Sequence, residues 1–153
     1  MAWIEGTERR TYDIHAPIEK VYAFLSTPEL LKAAFLELER HEILDATTAR
    51  WILKEKNEKG VKFRPDYTVR YGGNGRDRVE WSSLAGGNMR AKGKAVLRSK
   101  GVDVTEVQYE ETIASDLPIP GLMARVFQPI VAREIRKGVQ GFLDRIKARL
   151  EQA

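Results

Sequence analysis

Apolar residues near the C-terminus fall at Ile135, Val139, Phe142, Ile146 and Leu150, with Leu143 beside them. Steps of three and four set them on one stripe of an α-helix. Arg133, Arg136, Lys137, Asp144, Arg145, Lys147 and Arg149 take the opposite face, toward water. From Pro129 onward the predicted helix has about twenty residues and spans roughly 30 Å. So long and one-sided a helix needs a broad apolar surface to lie against, and no other stretch nearby is helical. The partner expected is a sheet.

Earlier in the chain, Arg9 to His15 alternates and reads as a strand. Pro17 suits the first turn of a helix, where its missing N–H is no loss, and Ile18, Val21, Tyr22 and Leu25 follow at helical spacing. Thr27-Pro28 repeats the start signal for a second short helix with Leu30, Leu31, Ala34 and Phe35. The period then becomes two. Strands are predicted over 36–46, 49–56, 61–71, 76–84, 88–99 and 102–114, separated by hairpin material such as Asn57-Glu58-Lys59-Gly60 and Gly72-Gly73-Asn74-Gly75. Such a meander can leave one face wet. Val61, Phe63, Tyr67 and Val69 share one face of their strand, and Lys62, Arg64, Asp66, Thr68 and Arg70 share the other. The gripping arrangement that follows is α+β, in the order β-α-α-β6-α. An antiparallel sheet of about seven strands curls round the terminal helix, in one domain over residues 1–153.

Composition narrows the function classes. With no cysteine there is no disulfide framework, thiolate chemistry or Cys-ligated zinc. The net charge of +4 is mild and the basic residues are interleaved with acids, which argues against nucleic acid as a partner. No apolar run approaches a membrane span, and MAWIEGTERR lacks the apolar core of a secretion signal, so the cytoplasm is the expected compartment. The basic face of the long helix is read as a solvated face, with peripheral membrane contact as the lesser alternative. His15 and His41 show no metal-ligand spacing, and the glycine-rich 72–75 stretch joins strands instead of opening a helix. Neither a metal nor a cofactor is expected.

The stretch IHAPIEKVYAFLSTPELL at 14–31, the meander, and FLDRIKARLE at 142–151 together resemble the START-like (SRPBCC) superfamily and its helix-grip fold. The resemblance implies a cavity between sheet and helix that holds a lipid, polyketide, quinone or similar hydrophobic small molecule. It also leaves an enzyme of the polyketide cyclase/aromatase type as an alternative use of the same cavity.

Candidate site residues follow from the predicted faces. Val107, Tyr109, Glu111 and Ile113 share one face of the last strand, so Glu111 points inward, where loss of water raises a carboxyl pKa and fits it for proton transfer. Arg40, aligned with Leu36, Leu38 and Leu44, is its candidate partner, and Tyr109 a third candidate. The competing reading has Glu111 at the mouth in water, or simply paired. Trp51, Phe63, Tyr67, Trp81, Tyr109, Met123, Phe127, Val131 and Gly138 are candidate ligand contacts, although the aromatic residues at strand spacing equally suit a core. Gly138 and Gly141 either widen the cavity or let helix and sheet backbones approach. The apolar loop 116–123 either flaps over the mouth or packs on the second small helix.

Overall fold

The computed structural model describes residues 2–58 and 60–152. Strand β1 (Ala2–Ile14) is followed by α1 (Ile18–Ser26) and α2 (Pro28–Leu31), which tightens into a 3₁₀ turn at Lys32–Ala34. Eight strands come next: β2 (Leu38–Asp45), β3 (Thr48–Leu53), β4 (Lys56–Glu58), β5 (Val61–Phe63), β6 (Asp66–Gly73), β7 (Arg78–Ser83), β8 (Met89–Gly101) and β9 (Val104–Leu117). A 3₁₀ turn at Gly121–Met123 leads into α3 (Ala124–Leu150). Seven strands form one antiparallel sheet in the order β1-β9-β8-β7-β6-β3-β2, and β4 and β5 form a separate two-stranded hairpin.

This is the predicted architecture, with three departures that have local causes. The strand expected over 61–71 breaks at Arg64-Pro65, because proline has no N–H to give a ladder. Pro65 serves only as an acceptor, taking the Leu53 N–H at 3.0 Å. Strand β1 starts at Ala2 rather than Arg9 and pairs with β9 along its whole length, from Ala2↔Leu117 to Ile14↔Thr105. Its early alternation, with Ala2, Ile4 and Gly6 buried and Trp3 and Glu5 exposed, supports that length. Helix α3 begins at Ala124 and runs through Pro129, which does not start it. Pro129 sits near the N-terminus, where only one interior bond is lost, and packing of Ala124, Phe127 and Val131 against Ile4, Leu117 and Ile119 supports the added turns.

The C-terminal half of α3 lies in the concave face of the sheet. Val139, Leu143, Ile146 and Leu150 are buried against Ile14, Val21, Leu25, Val69, Val79, Leu97 and Val107. Each such aliphatic side chain contributes roughly 1.5–3 kcal/mol by leaving water. Closer to its N-terminus the helix crosses the sheet edge at Gly6, where a Cβ would stand 3.1 Å from the Ala132 backbone. Any side chain there would have to push the helix back by a few tenths of an ångström. A second, smaller cluster forms there from Ala2, Ile4, Leu117 and Ile119, joined by Val61 and Phe63 of the β4–β5 hairpin. The main core and this second cluster do not close on each other, and a cavity is left between them.

Candidate functional site

The cavity has a volume of about 490 Å³ and draws its walls from both clusters. Its inner end is built on β9. Alternation there carries Tyr109 and Glu111 to the concave face, and the register Trp81↔Gly93↔Glu111 runs across β7, β8 and β9. A Cβ at Gly93 would stand 2.6 Å from Trp81 Cζ2, so the indole lies over the bare backbone of β8. From there Trp81 Nε1 donates to Glu111 Oε2 at 2.9 Å, and the Tyr109 hydroxyl donates to Glu111 Oε1 at 3.0 Å.

Glu111 is 8% exposed, a carboxyl group in an aromatic pocket. Burial raises its pKa to about 7 against the opposing pull of the Trp81 and Tyr109 hydrogen bonds. Burial likewise pushes the Tyr67, Tyr71 and Tyr109 hydroxyls upward, and the nearby Glu111 charge adds to each shift. All three tyrosines therefore stay protonated as donors at ordinary pH. The inner end can accept a proton or hydrogen bond through Glu111 and surround a guest with aromatic rings.

The outer end is polar at its rim. Glu37, Lys56, Glu134, Lys137 and Arg145 border it together with Leu36, Val61 and Phe63. Arg145, expected on the water face of the helix, instead turns in. Its Nε donates to the Ala34 carbonyl at 2.6 Å, and partial burial lowers its pKa. Gly138 also stands on this border. A Cβ there would meet nothing within 4 Å, so it opens the cavity and the close helix–sheet approach falls at Gly6. A Cβ at Gly141 would meet Arg145 Nη1 at 3.1 Å.

Among the residues singled out from sequence, Phe63, Tyr67, Trp81, Tyr109, Glu111, Phe127, Val131 and Gly138 all border this cavity. Three others do not. Trp51 is fully buried behind Phe35, with ring centroids 4.4 Å apart, and its Nε1 donates to the Tyr71 hydroxyl at 3.0 Å. It is a core residue. Met123 closes the 3₁₀ turn before α3, is 39% exposed and does not line the cavity. Arg40 is exposed on the edge strand β2, where register shifts between Leu38 and Arg40 and between Ile43 and Asp45 turn the expected inner face outward; Leu36 and Leu44 are exposed too. Arg40 is therefore not the partner of Glu111. The loop 116–123 does not pack on α2, since Leu117 and Ile119 insert into the second cluster beside Ile4 and Phe63.

Sequence reasoning missed Gly93, Tyr71 and Arg145. A glycine inside a strand marks a close approach, so Gly93 carried a usable signal. Tyr71 continues the alternation of Tyr67 and Val69 inside the strand predicted over 61–71, so its inward direction carried a usable signal too. Nothing in the periodicity separates Arg145 from its solvated neighbours.

Among the described residues no helix is long and apolar enough to cross a membrane, and no group of three or more His, Asp or Glu side chains gathers as a metal site would require. The sequence matches no family model and no curated protein. Solved structures do match. A Thermus thermophilus protein superposes with a TM-score of 0.71 at 22% identity, covering 95% of this chain and 96% of its own. The Zhui aromatase/cyclase from Streptomyces sp. R1128 gives 0.70 at 14% identity, covering 96% and 94%. A START superfamily protein from Mycobacterium smegmatis gives 0.66 at 17% identity, covering 95% and 97%. Identities this low speak for architecture, and that architecture agrees with the element order, the curved sheet and the gripped helix: the chain has the START-like (SRPBCC) helix-grip fold.

Proposed function

We propose that this protein binds a hydrophobic small molecule in the cavity between the curved sheet and α3. The observation that carries the reading is the cavity itself: about 490 Å³, walled mainly by apolar and aromatic side chains, with one carboxyl at its inner end. Those are the dimensions and the lining of small-molecule sites, which combine apolar walls with few, placed polar groups. START-like architecture supports the same use. The test is direct binding of a neutral apolar probe, N-phenylnaphthylamine, followed by its fluorescence. Saturable binding that is lost in Gly138→Phe, which fills the mouth, supports the reading. Absence of saturable binding to the unaltered protein refutes it.

A second reading is turnover in the same cavity, and Glu111 is the observation that favours it. A buried carboxyl with a pKa near the operating pH and two fixed donors is suited to accept and return a proton. An aromatase/cyclase among the structural neighbours makes ring closure of a polyketide-like chain the reaction class to try first. Under this reading Glu111→Gln abolishes turnover while a neutral probe still binds. Turnover that survives the substitution removes Glu111 from the chemistry.

A further inference from the structure

The cationic side chains of the cavity all stand at the rim. Lys56, Lys137 and Arg145 are there beside the carboxylates of Glu37 and Glu134, while the carboxyl of Glu111 is alone at the inner end. Glu111 takes part in none of the ion pairs found among the described residues; its bonds are to the neutral donors of Trp81 and Tyr109. Both donors hold the carboxyl as an acceptor, one on each oxygen, and each oxygen keeps a further lone pair. Around it stand Tyr67, Tyr71, Trp81 and Tyr109, all on the cavity lining. The Trp81 and Tyr109 ring centroids are 5.1 Å apart, and those of Tyr71 and Trp81 6.5 Å apart. Once ionised, a carboxyl without a cation, in a wall of aromatic side chains, is complementary to positive charge on a poorly hydrated group.

Two orientations of an amphiphilic guest can be compared. An anionic guest would keep its head at the rim beside the lysines and press its apolar end against Glu111. That removes the last water from a carboxylate and offers nothing in return. A cationic guest placed nitrogen-first supplies the missing counter-charge and leaves its apolar body against Phe63, Phe127 and Val131. The second orientation satisfies every polar group that the first leaves stranded.

We propose that the cavity selects an organic cation, a protonated amine on an aromatic or branched apolar body, with its nitrogen on Glu111 among Tyr67, Tyr71, Trp81 and Tyr109. This rests on the reading of the cavity as a small-molecule site and adds the charge and direction of the guest.

The test compares three probes of one shape, phenylbutylamine, phenylbutanol and phenylbutyrate, by calorimetry on the full chain at about pH 8. The expected order is amine, alcohol, acid, with the amine at least about tenfold tighter than the acid. In Glu111→Gln the advantage of the amine over the alcohol falls to about twofold or less while alcohol affinity is kept. Glu111→Met, an apolar replacement of similar length, gives the same loss should the glutamine variant fold poorly. An acid that binds as tightly as the amine, or an amine preference that survives both variants, overturns the inference and leaves the small-molecule reading standing. Failure of all three probes to bind the unaltered protein removes both.

Discussion

Trp81 and Glu111 meet across a strand that puts no side chain between them. The indole nitrogen and the carboxylate oxygen are 2.9 Å apart because the residue registered between them on β8 is Gly93. A neutral donor thus reaches a buried acid over a distance of two strands. The inner end of the cavity is fixed by a backbone position as much as by the side chains that line it.

Gly93→Ala tests that relationship. The added methyl would fall 2.4 Å from the Glu110 backbone oxygen and 2.6 Å from Trp81 Cζ2, so the β8–β9 pairing must shift and the indole must tilt, which lengthens or breaks its bond to Glu111. Overpacking of this kind costs about 1–3 kcal/mol. The expected outcome is a lower denaturation midpoint together with a changed near-ultraviolet circular dichroism spectrum from the tryptophan region. A variant with unaltered spectrum and stability would mean that the indole does not need the bare strand.

Glu111 also makes stability depend on pH in a definite direction. Its folded pKa of about 7 lies above the 4.5 of a free glutamate, so between those values the folded chain holds a proton that the unfolded chain releases. The contribution is complete below about pH 4.5 and is lost as pH rises through 7, for a total of about 3 kcal/mol. Tyr67, Tyr71 and Tyr109, the titratable groups that face it, are shifted upward and do not titrate in this window. Asp66 and Glu106, held low by Arg50 and Arg98, act in the opposite sense at acid pH. The difference between the unaltered protein and Glu111→Gln isolates the term. The glutamine variant should gain in denaturant midpoint relative to the parent as pH is raised from about 5 to about 8.5. A constant difference across that range would show that Glu111 does not titrate there.

The fold was legible because its signals are periodic. The stripe Val139, Phe142, Ile146, Leu150 and the alternation Val107, Tyr109, Glu111 survive in the structure as the gripped face of α3 and the concave face of β9. Site residues on those central strands were legible for the same reason, since position on a paired strand fixes the direction of a side chain. Arg40 was not, because β2 is an edge strand whose register shifts reverse its faces, and a shift in register leaves no mark in an alternating sequence. Trp51 failed differently. It points inward as its spacing implies, but Phe35 from the segment after α2 lies over it, and contacts between elements so far apart carry no periodic trace.

Gly138 separates space from strain. A Cβ there meets nothing, so Gly138→Ala should raise stability by up to about 1 kcal/mol through helix propensity alone. Gly138→Phe should be no less stable than the parent and obstruct the cavity, which shows as loss of N-phenylnaphthylamine binding with a thermal midpoint that does not fall. Should the alanine variant be destabilised, the space beside Gly138 is not open in solution.

Trp51→Phe distinguishes a core residue from a cavity residue. The substitution removes the Nε1 bond to the Tyr71 hydroxyl and part of a fully buried ring, with a cost of about 1–3 kcal/mol. Phe35 still covers the position, so the cavity wall is kept and the affinity of a neutral apolar probe should change by less than about twofold. Trp81→Phe, on the lining, should weaken the same probe and also free Glu111 Oε2. Chemical denaturation and probe titration of the two variants side by side make the check. A loss of affinity in Trp51→Phe equal to that in Trp81→Phe would show that the wall at Phe35 depends on the indole behind it, and that core and cavity respond to substitution as one unit.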